Sequence, residues 1–269
     1  DVLAHSEGSF ASTANSDVLA IDLGHWFQNT GDHTASFDLF NLDSVPGFTA
    51  DLDLDGITGA GDMARLFTDF TPGSLTAGAG RTLQATLDTT TLGTFNATWT
   101  FNLSDEDLLG ATTGADLVLS LTGQVLLLGD FDFDLMLDAD DIDLMFGSLG
   151  GSDLFYDLTG DSAVTSDDVD FLVRTVFGTE YGDANLDHQV SGADFTIWAD
   201  NFQMSPGGWA QADFTGDMLA TGADFTLWAD HFGFMADPHS VPEPASWALV
   251  AAGTALIVIG ARASRRSRG

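Results

Sequence analysis

The sequence predicts a mixed fold of two domains: an N-terminal antiparallel β-sandwich, then α-helical loop–helix repeats, with a C-terminal transmembrane helix near the end of the chain. Three observations lead to this prediction. Apolar and polar residues alternate over much of residues 16–128, an Asp-rich motif recurs four times over residues 129–235, and an apolar stretch fills residues 245–261. A period of two is typical of half-buried strands, and a recurring unit indicates one supersecondary motif used several times.

The alternation is clearest in the segment GTFNATWTFNL at residues 93–103. Phe95 and Trp99 would lie on one face of such a strand and Thr98 on the other, so one face packs and the other is solvated. Short strands of this kind, separated by Gly, Asp and Pro, predict a sandwich over residues 1–128.

The order of the pieces in this first domain resembles the immunoglobulin-like sandwiches called Hydin-like or choice-of-anchor domains. The matching pieces are DLG (22–24), LTAGAG (75–80), LGTFNATWTFNLSDE (92–106) and LVLSLTGQV (117–125). The resemblance implies a spacer or binding module on a cell surface, and it brings no catalytic residues with it.

The chain of 269 residues has 41 acidic and 7 basic side chains, a formal net charge of −34 at pH 7. Such a charge argues against nucleic acid and anionic lipid as partners. Asp accounts for 37 of the acids, and Asp favours turns, caps and metal-binding loops. The 44% of hydrophobic residues and the absence of Cys indicate a buried core without disulfides or thiolate metal sites.

Four twelve-residue loops recur between residues 129 and 235. Positions 1, 5 and 12 are Asp in every loop, and positions 3 and 9 carry a side-chain oxygen. The predicted ligands are Asp130, Asp132, Asp134, Asp138 and Asp141 in the first loop; Asp157, Thr159, Asp161, Thr165 and Asp168 in the second; Asp183, Asn185, Asp187, Ser191 and Asp194 in the third; and Asp213, Thr215, Asp217, Thr221 and Asp224 in the fourth.

This pattern of oxygen-bearing side chains predicts calcium as the cofactor. Calcium takes about six to eight hard oxygen ligands, and a twelve-residue loop supplies them from positions 1, 3, 5, 7, 9 and 12. The alternative is a solvated acidic face of the halophile type that merely reuses a repeat. A chance origin of four loops in register is disfavoured even in a region this rich in Asp.

An apolar stripe at helical spacing follows each loop, and the clearest internal match is GADFTIWADNF (192–202) with GADFTLWADHF (222–232). A loop with only its exiting helix and with Asp at position 12 resembles the type I dockerin repeat. That resemblance implies two dockerin-like units of two loops each. By proximity, we pair the loop at Asp130 with the loop at Asp157, and the loop at Asp183 with the loop at Asp213. It also implies a cohesin-like or other surface protein as partner. Trp198 and Trp228 then belong either to the docking face or to the core.

The loops depart from the dockerin pattern at position 6. Gly is usual there because the turn favours positive φ, but these loops have Leu135, Ser162, His188 and Met218. We therefore expect weakened or distorted loops, with the weakest sites in the loops at 157 and 213, where Thr stands at position 3. A fifth candidate, residues 51–62, has Asp in ligand register, and is either a metal loop or a strand with an acidic turn.

The end of the chain has three ordered parts: a linker at 236–244 that contains Pro242, Glu243 and Pro244, an apolar segment at 245–261, and a basic tail at 262–269. The tail holds Arg262, Arg265 and Arg266. The order resembles the PEP-CTERM sorting signal, which implies recognition by a membrane transpeptidase called an exosortase. The segment would lie in the inner membrane before processing, with its Arg side in the cytoplasm. The alternative is a permanent single-pass anchor.

The combined expectation is an exported, non-catalytic protein of the cell surface, outer membrane or extracellular matrix that serves adhesion or assembly through calcium-binding repeats. No nucleophile elbow, zinc-protease helix or phosphate-binding Gly loop is present in the sequence. The alternative is the C-terminal part of an exported polysaccharide-degrading enzyme, since the sequence begins at Asp1 without a leader and dockerins usually accompany such enzymes.

Overall fold

A computed structural model describes residues 3–106, 111–205 and 207–236. The sorting residues Pro242, Glu243, Pro244, Arg262, Arg265 and Arg266, and the segments 245–261 and 262–269, lie outside these ranges, as does the linker beyond Ala236. Among the described residues, no helix combines the length and the apolar character that a membrane crossing requires. The chain divides into two compact units, and the boundary along the sequence lies between Leu126 and Leu127.

Within residues 3–106 and 111–126, the first unit has nine strands in two sheets. The strands are β1 (Gly8–Ser9), β2 (Val18–Phe27), β3 (His33–Asn41), β4 (Leu52–Gly61), β5 (Leu66–Thr68), β6 (Gly73–Leu75), β7 (Gly80–Leu87), β8 (Gly93–Asp105) and β9 (Leu117–Leu126). One sheet has the order β1-β3-β7-β5 and the other β2-β9-β8-β4-β6. The predicted β-sandwich is confirmed.

The prediction of a purely antiparallel sandwich is wrong in one place. β2 pairs with β9 in parallel, from Val18 opposite Val118 to Phe27 opposite Leu126. Parallel neighbours need a long crossover connection, and the strands between β2 and β9 provide it. Alternation along a strand gives the face that is buried but not the direction of the neighbour, so the sequence could not reveal this pair.

The two sheets bury a common apolar core. Phe37 of the four-stranded sheet packs edge-on against Phe101 of the five-stranded sheet, with ring centroids 6.2 Å apart. The core residues Leu39, Leu87 and Leu119 are fully buried, as the alternating pattern predicts. Side chains that alternate with these core residues make the outer faces of both sheets largely polar, with apolar exceptions such as the exposed Val18.

The second unit consists of loops and helices. The helices are α1 (Ala139–Gly147), α2 (Ser166–Phe171), α3 (Gly192–Asn201) and α4 (Gly222–His231), with short 3-10 helices at Leu154–Tyr156 and Trp209–Gln211 and a π-helical turn at Leu172–Val176 after α2. Each α-helix begins one residue after position 9 of a predicted loop. The fifth candidate loop, in contrast, is mostly β4, which pairs with β8 and β6 inside a sheet.

Candidate metal sites

The first Asp of each loop binds the backbone of its own loop. Its Oδ2 accepts a hydrogen bond from the backbone N–H of position 6 in all four loops. The donors are Leu135 to Asp130 at 3.0 Å, Ser162 to Asp157 at 2.8 Å, His188 to Asp183 at 2.8 Å and Met218 to Asp213 at 2.6 Å. The four loops therefore share one backbone conformation around the position 1 carboxylate.

The expected distortion at position 6 is absent. Leu135, Ser162, His188 and Met218 all have positive φ, at 70°, 72°, 65° and 69°. These residues adopt the left-handed conformation that Gly would adopt without strain, at a cost of about 1–2 kcal/mol each. Position 4 is also left-handed in every loop, at Phe133, Gly160, Leu186 and Gly216. The turn is retained without the glycine.

Position 12 is the third residue of each exiting helix. Its carboxylate accepts from the backbone N–H of position 9 at 3.0 Å for Asp141, 2.8 Å for Asp168, 2.9 Å for Asp194 and 2.7 Å for Asp224. Position 9 in turn caps the helix, so positions 9 and 12 form a reciprocal capping box in all four units. Each helix start is thus fixed by two predicted ligands.

The carboxylates at the two ends of the loops are buried, with the exception of Asp157. Asp130, Asp141, Asp183 and Asp213 are at most 2% exposed. Burial, and to a lesser degree the neighbouring carboxylates, raises the pKa of Asp130, Asp183 and Asp213, and burial raises the pKa of Asp141 to about 6. The charged form of these carboxylates is therefore disfavoured unless a cation is close by.

The second loop differs from the other three. Asp157 at position 1 is only half-buried. Burial of Asp168 acts to raise its pKa, but hydrogen bonds from the Thr165 and Thr159 backbones and from the Thr159 hydroxyl outweigh burial and lower it. The Thr159 hydroxyl is 3.0 Å from the Asp168 carboxylate. In this loop, hydrogen bonds rather than burial therefore set the direction in which the pKa of the position 12 carboxylate shifts.

Positions 3 and 5 leave oxygens at the surface. In the first loop, ligand atoms of Asp130, Asp132 and Asp134 lie within 4.8 Å of one another. Asp161, Asp187 and Asp217 at position 5 are exposed or nearly so, and each accepts a bond from the backbone N–H two residues later. The donor set is made of carboxylate, amide and hydroxyl oxygens, which suits a hard cation such as calcium.

The third and fourth loops are tied to each other by a reciprocal pair of indole hydrogen bonds. Trp198 in α3 donates from Nε1 to the carbonyl oxygen of Thr221 at 2.7 Å, and Trp228 in α4 donates to that of Ser191 at 2.8 Å. Both acceptors are position 9 residues. The two indoles are half-buried, so the part of each ring that bonds the partner loop belongs to the interior of the pair.

Position 8 of three loops bonds through its backbone to a segment outside the neighbouring loop. Val190 bonds to the chain after α4, with Phe234 O at 3.1 Å and Gly233 N at 2.9 Å, and Ala220 accepts from Gln203, just after α3, at 2.8 Å. In the other pair, Val164 accepts from Gly150, after α1, at 2.9 Å. In these three loops the backbone at position 8 thus bonds to the segment that follows the partner helix.

Trp209 joins the two loop pairs within the unit. It is fully buried. Its backbone N–H donates to Asp143 of α1 at 2.7 Å, and its indole donates to the carbonyl oxygen of Asp183 at 2.7 Å. Sequence reasoning missed this residue because it lies between repeats and has no equivalent in them. It also missed the capping boxes, although Ser or Thr followed three residues later by an acidic residue was a visible signal.

Comparisons with known proteins concern mainly the end of the chain. Residues 240–266 match the family model of the PEP-CTERM protein-sorting motif. The search of curated proteins found no match.

Several solved structures align with parts of this chain at low similarity. PapD-like domain 7 of human CEP192 is 12% identical with a TM-score of 0.33, and the match covers 40% of this chain and 81% of that one. WR4, a major-sperm-protein family member of Caenorhabditis elegans, is 8% identical with a TM-score of 0.25 over 37% and 91%. A family 123 glycoside hydrolase from Clostridium perfringens is 5% identical with a TM-score of 0.30 over 66% and 36%.

The match at residues 240–266 contains the Pro-Glu-Pro element, the apolar segment and three of the arginines in the order that the sequence analysis describes. The chain therefore carries a PEP-CTERM protein-sorting motif, which indicates an exported surface protein that is sorted by an exosortase.

Proposed function

We propose that this surface protein binds calcium through the four loops that begin at Asp130, Asp157, Asp183 and Asp213, and that the loop–helix units act as dockerin-like repeats. The observation that carries the proposal is the shared loop geometry. All four loops have left-handed backbone at positions 4 and 6 and an Asp at position 12 that begins the helix. A solvated acidic face has no need of buried carboxylates in register.

The electrostatics of the loop ends support the same proposal. Asp130, Asp183 and Asp213 are each buried beside other carboxylates of the same loop. The ionised form of each is therefore repelled by its neighbours. A divalent cation removes this repulsion, and its binding free energy then adds to the stability of the fold. Position 5 projects an exposed carboxylate in the second, third and fourth loops, where it remains accessible to an incoming ion.

The role of the repeats would be non-catalytic. A calcium-bound unit of paired loop–helix motifs offers rigid helices to a cohesin-like or other surface protein, while the sandwich serves as a spacer. The immunoglobulin-like relationship of the sandwich stays a prediction. Adhesion or assembly at the surface is the function that fits an exported protein with this architecture.

Circular dichroism of the whole chain tests the proposal. Addition of calcium should increase the helix signal and raise the melting temperature of the second unit, and chelator should reverse both changes. A magnesium titration is the control, because magnesium needs a smaller octahedral site and dehydrates reluctantly. No change at about 10 mM calcium, well above the dissociation constants of extracellular calcium modules, would refute calcium binding.

A further inference from the structure

Position 14 distinguishes the first two loops, the first pair, from the last two, the second pair. It is the fifth residue of each exiting helix and lies two residues after the position 12 Asp. In the second pair it is Thr196 and Thr226, whose hydroxyls donate to the carbonyl oxygen four residues earlier in their own helices, at 3.0 and 2.9 Å. In the first pair it is Asp143 and Asp170. Each of these aspartates accepts a hydrogen bond from a residue outside its own pair of loops.

These two bonds reach the segments that lead into the second pair. Asp170 accepts from the hydroxyl of Tyr181 at 2.8 Å, and Tyr181 stands two residues before the third loop. Asp143 accepts from the backbone N–H of Trp209 at 2.7 Å, and Trp209 stands four residues before the fourth loop. Both helices of the first pair are thus bonded to the entry of a loop in the second pair. We name Asp143, Asp170, Tyr181 and Trp209 the junction.

The junction also holds the first ligand of the third loop. The rings of Tyr181 and Trp209 pack together with centroids 5.7 Å apart, and Trp209 is fully buried. The Trp209 indole donates to the backbone carbonyl oxygen of Asp183 at 2.7 Å. The buried hydroxyl of Thr179, in the same entry segment as Tyr181, donates to the Asp183 carboxylate at 2.5 Å. Asp183 is therefore positioned through both its backbone and its side chain.

The fourth loop has a direct contact with α1. Gly216, at position 4 of that loop, has φ of 73°. A Cβ there would overlap the ring of Phe146 in α1, so the ring lies directly against the loop backbone. Both loops of the second pair are thus linked to α1 or α2, the helices whose first turns contain the position 12 residues Asp141 and Asp168.

We propose, on the basis of the calcium binding proposed above, that the four loops form one cooperative calcium module, in which calcium in the first pair raises the calcium affinity of the second. An ion bound at position 12 stabilises the first turn of α1 or α2. Asp143 and Asp170 lie just beyond that turn, so the junction forms against a helix that is already in place. Calcium in either pair favours the same closed junction, and the coupling is therefore reciprocal.

Two independent units would need a junction that opens at little cost, as interfaces between units of one chain often do. Opening this junction would expose the fully buried Trp209 to water and separate its indole N–H from the Asp183 carbonyl oxygen. It would also separate the Tyr181 hydroxyl from Asp170. The loss of these bonds and of apolar burial opposes opening. A closed junction that both pairs stabilise is what cooperative binding requires.

A calcium titration of the ¹⁵N-labelled whole chain, followed by NMR, tests the coupling. The reporters are the backbone amides of position 6, which bond the position 1 carboxylates: Leu135 and Ser162 for the first pair, His188 and Met218 for the second. Asp134→Asn/Asp161→Asn weakens binding in the first pair alone. The titration midpoints of His188 and Met218 should then rise about fivefold or more. Asp187→Asn/Asp217→Asn should raise the midpoints of Leu135 and Ser162 by a similar factor.

A second set of variants tests the junction itself. Asp143→Ala/Tyr181→Phe removes both bonds made by position 14 and changes no predicted ligand. In this background, Asp134→Asn/Asp161→Asn should raise the midpoints of the second pair by less than half the factor seen without it. The matched control is Thr196→Ala/Thr226→Ala, which changes position 14 where it bonds its own helix, and it should keep the full factor.

The outcomes separate the coupling from calcium binding itself. Native-like amide signals of all four reporters at saturating calcium show that each variant is folded. If Asp134→Asn/Asp161→Asn leaves the midpoints of the second pair unchanged while calcium still binds there, the cooperative module is overturned and calcium binding stands. Equal factors in the junction variant and its threonine control would overturn the role of position 14. No response of any reporter to calcium would refute both proposals.

Discussion

The indole Nε1 of Trp198 donates a hydrogen bond to the backbone carbonyl oxygen of Thr221 at 2.7 Å, and so links α3 to the loop that precedes α4. The reverse bond runs from Trp228 to Ser191 at 2.8 Å. Both acceptors are the residues that cap the partner helix. Each loop of this pair is therefore stabilised in part by the tryptophan of the other repeat.

Replacement of Trp228 by Phe should weaken calcium binding in the other repeat. The change removes one indole N–H and leaves the Ser191 carbonyl without that donor, at a cost of about 1 kcal/mol. The affinity of the loop at Asp183 for calcium should therefore fall roughly fivefold. Calorimetric titration with calcium measures this change. The matched control is Trp26→Phe, which removes a 2.6 Å indole bond to Leu23 in the sandwich. Equal calcium affinities in the two variants would contradict the coupling.

Glycine at position 6 should stabilise the loops. Met218 has φ of 69° and is 63% exposed, so Met218→Gly relieves left-handed strain and removes few contacts. Gly also has more conformational entropy in the unfolded chain, and this offsets part of the relieved strain. We therefore expect a net gain of about 1 kcal/mol in the free energy of unfolding. Differential scanning calorimetry in chelator measures it. Leu219→Gly, one residue later and without positive φ, should destabilise instead, and a gain in both variants would argue against strain as the cause.

Two aspartates of the fourth loop separate metal binding from helix capping. Asp217 is exposed and accepts from Leu219 N at 3.0 Å, whereas Asp224 is fully buried and accepts from Phe214, Thr215 and Thr221. Asp217→Asn should weaken calcium binding about tenfold and leave melting in chelator unchanged. Asp224→Asn should lower both, with a loss of about 2 kcal/mol in chelator. If the loops only cap helices, Asp217→Asn will have no effect on calcium titrations.

Asp105 makes the sandwich sensitive to acid. Its carboxylate accepts from His5 at 2.6 Å, from the Ser6 backbone at 2.7 Å and from the Thr112 backbone at 3.1 Å. Burial acts to raise the pKa of Asp105, but these bonds outweigh burial and hold the pKa well below its usual range. A depressed carboxyl pKa stabilises the fold above the unfolded value near 3.8, and this stability is lost as the pH falls below it.

Asp105→Asn should therefore destabilise the sandwich by about 2 kcal/mol at neutral pH, and the difference from the wild type should shrink below about pH 4. Calorimetric unfolding between pH 7 and pH 2 measures this difference. The control is Asp116→Asn, which replaces an exposed carboxylate of the same unit. A difference between wild type and Asp105→Asn that stays constant down to pH 2 would contradict the linkage.

The parts of the structure that could be predicted from the sequence are those that repeat. Alternation of Phe95, Ala97 and Phe101 with polar residues predicted the strand and its buried face. The apolar stripe after each loop predicted a helix there, although each helix begins two residues before the Asp at position 12. The parallel pairing of β2 with β9 leaves no local pattern, because it depends on the path of the whole unit. The role of Trp209 was hidden for the same reason: its partners Asp143 and Asp183 are far away in sequence.

The sequence also misled at position 6. The absence of Gly at position 6 predicts a distorted turn, because Gly is generally preferred where φ is positive. That preference is not a requirement in these loops. The hydrogen bond from each position 6 N–H to the Asp at position 1 holds the backbone there in spite of the side chain. Gly stands at position 4 in two of the loops, and this was a visible signal for a left-handed turn. Phe133 and Leu186 occupy position 4 in the other two loops and have the same left-handed backbone.

Equilibrium dialysis against calcium tests the central claim most directly. The wild-type chain at about 1 mM free calcium, near the dissociation constants of extracellular modules, should retain about two or more ions, with the loops at Asp130 and Asp183 filled first. The comparison is a chain in which position 5 is changed in every loop, Asp134→Asn, Asp161→Asn, Asp187→Asn and Asp217→Asn, and it should retain clearly less calcium than the wild type because each loop loses affinity. Equal amounts of bound calcium in the two chains, or none in either, would contradict the account.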